Sequence, residues 1–452
     1  MGNVPEKIWT WQMASPFKKD RETGEVTPGK LEKVQIDVPE LAPGEVLVEV
    51  AGCGICHTDL GYYYQGVPTV NKPPLTLGHE ISGVVVAAAG DVGSWTGKEV
   101  IIPAVMPCRK CHLCKTGRGN RCLAQKMPGN SMGIYGGFSS HIPVPAIDLC
   151  EVRNRGDIPL AKLAVVADAA TTPFQAAKRA DVQVGDNTIV IGVGGVGQYM
   201  VQILKALGAG TVVAIDINPE RLDTMLKNGA DFSVNSMGKT PRDISGELKA
   251  FRKEQGLPST GWKIFEVSGT KPGQELGLAL LSFTGKMVVV GFGPHKIEYS
   301  ISRLMAFDAE LIGSWGCLPE YYPAVLNMVT SKKINFEEFE NKVVVLNFWA
   351  TWCPPCIAEM PGLQELNDLY KDKVSFLFVA NDEKERVIQF MKDKRYSFPV
   401  YFQGSASPGP LQSNSLPTTY IIDQQGMIVV DKTGAADWNS SKVHRLLDNL
   451  LQ

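Results

Sequence analysis

No apolar run in this 452-residue chain approaches the roughly 18 residues that a membrane-spanning helix needs. Nor is there an excess of either charge: 45 Lys and Arg stand against 47 Asp and Glu, a net charge of −2. That balance leaves no electrostatic footprint for nucleic acid or an anionic membrane surface, so neither is expected as a partner. The opening stretch, MGNVPEKIWTWQMASPFKK, lacks the basic-then-apolar layout of a secretion signal, and a cytoplasmic location is expected. Internal repeats and low-complexity linkers are missing too. What remains is ordinary globular composition, 44% hydrophobic and 20% charged, at a length that favours two or three domains.

Cysteine is what the chain does have, ten in all. Cys53 and Cys56 form one group, Cys108, Cys111, Cys114 and Cys122 a second, and Cys353 and Cys356 a third. Cys150 and Cys317 stand alone. In a long chain without a secretion signal, such groups point to metal ligands or redox pairs before structural disulfides.

Short apolar runs broken by Gly and Pro fill residues 31–150, among them EVLVEVAG, ISGVVVAAA and KEVIIPAV, and predict a compact β-rich domain. Over 186–316 the runs NTIVIGV, TVVAIDI, KIFEVSG, GKMVVVGF and AELIGSW alternate with helical stretches, which implies βαβ units and a doubly wound parallel sheet. From about 341 a second α/β pattern begins. KVVVLNFWA, PPCIAEMPGLQELNDLYK, VSFLFVAN, KERVIQFMKDK, TTYIID, MIVVD and SSKVHRLLDNLL give the order β-α-β-α-β-β-α, with a hairpin expected at Gln425-Gly426.

Cys108, Cys111, Cys114 and Cys122 place four thiols on one loop with little apolar content, the pattern of a structural zinc site. His112 within that loop reads as an exposed bystander. Cys56, at the end of one predicted strand, and His79, at the start of another, could share a second zinc with a later acid and leave one coordination position open, as catalysis requires. Cys53 reads as a packed small hydrophobe rather than as half of a redox pair.

These stretches, GICHTD, GHE, the four-cysteine loop and the dinucleotide pattern after them, resemble the zinc-containing medium-chain dehydrogenase family over about residues 30–334. The resemblance implies a GroES-like catalytic domain over 1–178 with a truncated return segment at 317–334, and a Rossmann domain over 179–316. It makes Cys56 and His79 zinc ligands with Glu80 close to the metal, and puts Asp168 where many members carry a third ligand. The alternative for Asp168 is a helix cap. Thr58 matches a hydroxyl that passes the alcohol proton outward. His57 matches a position that contacts the cofactor pyrophosphate or extends the relay. The family usually forms homodimers or homotetramers, through an edge strand that here would be AELIGSW. Three segments, EKIWTWQM, AGCGICHTDLGYYYQGVPTVNKPPLTLGHE and RGNRCLAQKMPGNSMGIYGGFSSHIPVP, resemble a narrower group that oxidises cyclic secondary alcohols carried as CoA thioesters during aromatic degradation.

The cofactor follows from the residues themselves. Gly192, Gly194, Gly195, Val196 and Gly197 form a G-x-G-x-x-G between a predicted strand and helix, and Asp216 ends the next strand about twenty residues on. The glycines let backbone approach a pyrophosphate, and Asp216 suits ribose hydroxyls and repels a 2′-phosphate, so NAD is expected. Arg221 lies close enough in sequence to soften that preference.

Cys353-Pro-Pro-Cys356 opens a helix after a strand, where the helix N-terminus favours thiolate at Cys353 and Cys356 can resolve a mixed disulfide. NFWATWCPPCIAEMP resembles the TlpA-like thioredoxins, which implies a thioredoxin-like domain over 335–452, a protein disulfide as partner, a cis Pro417 beside the pair and Glu359 close to it. An exposed helix glutamate is the alternative for Glu359. At the short join SKKI–NFEEF both partners look trimmed, the pattern of a chimera. Three functions stay open: an NAD- and zinc-dependent alcohol dehydrogenase fused to a thiol–disulfide oxidoreductase, a thiol–disulfide reductase on an inactive dehydrogenase scaffold, or a non-catalytic, zinc-stabilised NAD-binding module.

Overall fold

The computed structural model describes residues 4–19, 26–27, 29–330, 343–402, 415–424 and 428–451. The chain divides into two compact units, residues 1–330 and 331–452. The SKKI–NFEEF join and the Gln425-Gly426 turn lie outside the described residues.

Unit one begins with β1 (Lys7–Ser15), whose side chains alternate between solvent and core, as a half-buried strand must. The sequence reading did not assign this strand, because two Trp and a Thr blur its alternation. β1 pairs antiparallel with β2 (Lys30–Asp37). A five-stranded antiparallel sheet follows, built from β3 (Glu45–Gly54), β4 (Glu80–Ala88), β5 (Glu99–Ile102), β6 (His141–Pro145) and β7 (Cys150–Glu151), in the order β7-β5-β4-β3-β6. A short helix, α1 (His57–Tyr64), leaves the end of β3.

After α2 (Thr171–Arg179) comes the parallel sheet of β8 (Asn187–Ile191), β9 (Thr211–Asp216), β10 (Phe232–Asn235), β11 (Lys263–Glu266), β12 (Lys286–Val289) and β13 (Glu310–Gly313). Its order, β10-β9-β8-β11-β12-β13, runs outward in both directions from β8. The winding therefore reverses on the crossover from β10 to β11, which returns to pair with β8, and in such sheets that leaves a crevice at the carboxyl ends of β8 and β11. The crossovers include α3 (Gly195–Ala206), α4 (Pro219–Lys227), α5 (Pro241–Glu254), α6 (Lys271–Leu280) and α7 (Ser302–Phe307). β13 is one of the two edge strands and is largely exposed.

The last element of unit one, α8 (Tyr322–Thr330), carries the expected return segment as far as residue 330. Tyr322, Val325 and Leu326 enter the same core as Leu163, Val166 and Phe174. The Tyr322 hydroxyl donates to Ala167 O at 2.5 Å and accepts from the Ala104 N–H at 3.1 Å. It thereby ties α8 to the turn immediately before Asp168.

Unit two holds β14 (Val343–Trp349), α9 (Pro354–Tyr370), β15 (Val374–Ala380), α10 (Lys384–Lys394), β16 (Val400–Phe402), β17 (Thr418–Ile422), β18 (Ile428–Thr433) and α11 (Ser441–Leu450). The sheet order is β16-β15-β14-β17-β18, with β17 and β18 antiparallel. This is the thioredoxin-like arrangement with one correction: the order read from sequence omitted β16. That strand is three residues long and largely exposed, so it carries no apolar run to announce it. β14 is buried at every position, as the centre of a sheet covered on both faces must be. Among the described residues no helix is long and apolar enough to cross a membrane.

Tyr322→Phe is expected to cost unit one about 1–3 kcal/mol, since the buried Ala104 N–H and Ala167 C=O would both lose a partner. Chemical denaturation measures this, and unchanged stability would mean that water replaces the hydroxyl.

Candidate metal, nucleotide and dithiol sites

Cys56 caps the start of α1, directly after β3. Its N–H donates to Asp59 Oδ2 at 3.0 Å, and Asp59 Oδ1 accepts from the Gly78 N–H at 3.0 Å. The same Oδ1 lies 3.5 Å from His79 Nδ1, so buried Asp59 orients both the turn that carries Cys56 and the His79 ring. Gly78 could not be another residue. Its φ is +92°, and a Cβ there would come within 2.8 Å of Cys53 Sγ. Cys53 packs at the edge of the β-sheet core, where burial pushes its thiol up to about 12. Its Sγ donates to Gly54 O at 3.4 Å, and both it and Cys56 are free thiols.

His79 Nε2 lies 3.6 Å from Asp168 Oδ2, and Cys56 Sγ lies 3.9 Å from the same oxygen. Glu80 opens β4 opposite Gly54, and its carboxylate fills the space that a Gly54 side chain would take. Burial, reinforced by the charge of Asp168, pushes Glu80 up to about 7. One donor atom from each of Cys56, His79, Glu80 and Asp168 lies within 4.8 Å of the others. The helix-cap alternative for Asp168 does not hold. Ala170 is the cap residue of α2, and Asp168 Oδ1 instead accepts from the Thr172 hydroxyl at 2.6 Å. Thr58 Oγ1 sits 3.6 Å from Cys56 Sγ in a half-buried position, while His57 faces solvent.

On the four-cysteine loop, Cys111 Sγ lies 3.5 Å from Cys114 Sγ and 3.8 Å from Cys122 Sγ, and Cys108 Sγ lies 4.0 Å from Cys114 Sγ. A tetrahedron with zinc–sulfur bonds of ~2.3 Å has edges of about 3.8 Å, so the spacing fits zinc, and it is far beyond a disulfide. The Lys110 and Cys111 N–H groups pull Cys108 down to about 6, while burial and the neighbouring thiols push Cys114 up to about 12. Four thiolates so close together need a cation. His112 is exposed and outside the set. Arg109 clamps the loop to buried Asp148 at 2.5 Å. Thiolate, imidazole and carboxylate at the first cluster, and four sulfurs at the second, are donor sets that suit zinc.

The glycine loop lies at the carboxyl end of β8. Gly192 has φ +85°, and a Cβ on Gly197 would come within 1.9 Å of Gly192 O, so the turn closes only with glycine at both places. Val193 N–H donates to Asp216 Oδ2 at 2.8 Å and Asn218 N–H to Asp216 Oδ1 at 2.9 Å. Asp216 thus fixes the loop as well as ending β9. The Arg221 guanidinium lies beside Gly194. At the start of α3 Gly195 is exposed and Gly194 and Val196 are half-buried.

Two residues of unit one were missed. Asp59 stands three positions after Cys56, a spacing that matches the acidic position of a capping box and could have been read. Glu266, at the end of β11, is fully buried; its Oε1 accepts from Ser268 N–H at 2.9 Å and Gly269 N–H at 3.1 Å and so shapes the loop against Gly192. Nothing local in the sequence marks it.

In unit two Cys353 and Cys356 form a disulfide at the start of α9, and the Cys356 N–H donates to Cys353 Sγ at 3.3 Å. Both are buried, whereas Trp352 beside them is 61% exposed. The Leu416–Pro417 bond is cis. Glu359 is not the exposed glutamate of the alternative reading. It is buried, and it accepts from Asn347 Nδ2 at 2.9 Å, Trp438 Nε1 at 2.8 Å and Ala436 N–H at 3.1 Å. Burial pushes its carboxyl above the usual range despite those donors. Asn347 and Trp438 were not anticipated, because they come from β14 and from the approach to α11.

The comparisons agree with this division. The alcohol dehydrogenase GroES-like domain family matches residues 42–154, the zinc-binding dehydrogenase family 195–331 and the redoxin family 322–448. The redoxin match begins inside α8, which packs in unit one. An alcohol dehydrogenase of Geobacillus stearothermophilus is 34% identical over 343 residues, covering 75% of this chain and 91% of that one. A sorbitol dehydrogenase of Bombyx mori is 29% identical over 308 residues, 68% of this chain and 86% of that one. The solved structure of a zinc-binding dehydrogenase from Sinorhizobium meliloti 1021 bound to NADP superposes with a TM-score of 0.63 at 22% identity, over 76% of this chain and 93% of that one.

The buried Glu359 gives a pH signature. Below pH ~4.5 both folded and unfolded chains hold the proton; above it the unfolded chain releases its proton first, so the stability of unit two falls as pH rises toward the raised folded pKa. Glu359→Gln should lack that slope, whatever its absolute stability. Denaturation midpoints at a series of pH values, compared between the two proteins, would refute this if the slopes were equal.

Proposed function

Since the chain belongs to the family of zinc-dependent alcohol dehydrogenases and carries a redoxin domain as well, we propose that it oxidises a secondary alcohol with hydride transfer to NAD, and that its second unit exchanges thiols and disulfides with a protein partner. The observation that carries the first half is the convergence of Cys56, His79, Glu80 and Asp168 in the unit that also holds the glycine loop. Cys56, His79 and Asp168 would hold a catalytic zinc, with Glu80 beside it, and Cys108, Cys111, Cys114 and Cys122 a structural one. When bound, the catalytic zinc supplies Lewis-acid polarisation of the alcohol oxygen. Asp59 keeps the His79 ring in place through its Nδ1 side. Thr58 Oγ1 would accept the alcohol proton as it gives up its own, and exposed His57 would take that proton on and release it to solvent.

The glycine loop and the first turn of α3 would take the cofactor pyrophosphate on backbone N–H groups. Asp216 would accept from the adenosine ribose hydroxyls and disfavour a 2′-phosphate, which supports NAD. Arg221 beside Gly194 is the group that would soften that choice. As to substrate, the sequence segments described above favour a cyclic alcohol carried as a CoA thioester, as in 6-hydroxycyclohex-1-ene-1-carbonyl-CoA dehydrogenase. Exposed β13, with Leu311, is the surface through which two copies would pair.

In unit two, reduced Cys353 would attack a partner disulfide, forming a mixed disulfide and releasing one partner thiolate. Cys356 then displaces the second, leaving the Cys353–Cys356 disulfide and a reduced partner. The Cys356 N–H aimed at Cys353 Sγ stabilises the attacking thiolate.

The test is NADH formation from cyclic secondary alcohols by the full chain, with and without a chelator. His79→Ala should lower kcat/KM by at least about a hundredfold, given the several kcal/mol that a catalytic metal supplies. Alcohol oxidation that survives both treatments would remove the zinc dehydrogenase reading. Insulin reduction retained by wild type and lost in Cys353→Ser, with no alcohol oxidation in either, would leave the inactive-scaffold alternative.

A further inference from the structure

One polar cleft in unit one has no part in the chemistry above. It is a cavity of about 170 Å³ at the amino ends of β11 and β12, the end of the sheet opposite the glycine loop. α5 contributes Arg252 and α7 contributes Arg303, with Ser259 and Ser282 on the turns between them. Among the described residues no acidic side chain lines it. Of the carboxylates on the surrounding elements, Glu247 pairs with Lys239 at 2.6 Å, Glu275 with Lys271 at 3.6 Å and Glu310 with Lys286 at 2.9 Å, while Asp243 accepts from the Thr240 N–H at 2.9 Å.

Both guanidiniums are held by aromatic faces rather than by anions. Arg252 lies over Trp262, 5.7 Å from the ring centre, and Arg303 lies over Tyr299 and Phe307 at 5.5 and 5.2 Å. A ring face attracts the guanidinium without accepting its N–H groups as a carboxylate would, so donors remain for an anion. Burial alone acts on Arg252 and lowers its pKa, so its charge is partly desolvated with no counter-charge in return. The site therefore offers many donors and lacks an anion. Its volume suits one tetrahedral oxyanion rather than a dinucleotide.

We propose that this cleft binds a phosphate group, free or at the end of a small metabolite, on Arg252 and Arg303. Two guanidiniums lining one cleft offer the charge-assisted donors that phosphate oxygens accept. The proposal does not depend on the cofactor or substrate reading given above.

The test is calorimetric titration of the full chain with inorganic phosphate, and separately with glycerol 3-phosphate, at constant ionic strength against chloride. NAD is kept at saturation so that the glycine loop is filled. Saturable binding to wild type is expected, weakened at least about tenfold in Arg252→Gln and in Arg303→Gln, the loss of a charge-assisted hydrogen bond. Arg303 is exposed, so its variant keeps the fold even if Arg252→Gln does not. Equal binding of both probes assigns the free ion, and tighter binding of the ester assigns the metabolite; either supports the site. No binding in the NAD-loaded protein, or unchanged affinity in the Arg303 variant, overturns it.

Discussion

A protein interior does not tolerate a thiol, an imidazole and two carboxylates at close quarters unless something makes them compatible, and unit one is organised around that fact. Cys56, His79, Glu80 and Asp168 come from three separated stretches of chain, yet their donor atoms gather within 4.8 Å. The backbone around them is committed to the purpose. Gly78 adopts a left-handed conformation so that His79 can follow it into the core, and Asp59 accepts from two backbone N–H groups while facing the ring. Tyr322, more than 150 residues from Asp168 in sequence, pins the turn before it. A divalent cation would reconcile the charges that burial alone sets against one another.

The nucleotide site depends on a different constraint, the reversal of winding at β8. Only there do two neighbouring crossovers leave the sheet in opposite directions and open a crevice. The close approach of Gly197 to Gly192 O, the anchoring of the loop by Asp216 and the shaping of the neighbouring loop by Glu266 all serve that one opening. Asp216 has two tasks, since the carboxylate that would meet a ribose already holds the turn beneath it.

Unit two has its own core and its own chemistry. Its dithiol sits where α9 begins, so a backbone N–H is delivered to Cys353 by helix geometry alone. Glu359, held by donors from β14 and from the approach to α11, places a reluctant carboxylate in the same core. The disulfide and the four-thiol loop are separated by spacing: two cysteines at a helix start in one case, four on a loop without a core in the other, the patterns that suit redox and metal chemistry respectively.

Motifs whose chemistry is local were legible in the sequence. The four-cysteine loop, G-x-G-x-x-G with its downstream Asp216, and Cys-Pro-Pro-Cys at a helix start each need only neighbours in the chain, so spacing suffices to reveal them. The alternation of strands and helices likewise predicted the doubly wound sheet and the thioredoxin-like unit, apart from β1 and short, exposed β16. Tertiary structure alone decided where Asp168 and Glu359 lie. Each had a bland local alternative, a cap or an exposed helix position, and each instead faces partners far away in sequence or on another element: His79 for the first, Asn347 and Trp438 for the second. Long-range burial sets the role of such a carboxylate, and no local pattern encodes which distant donors will surround it.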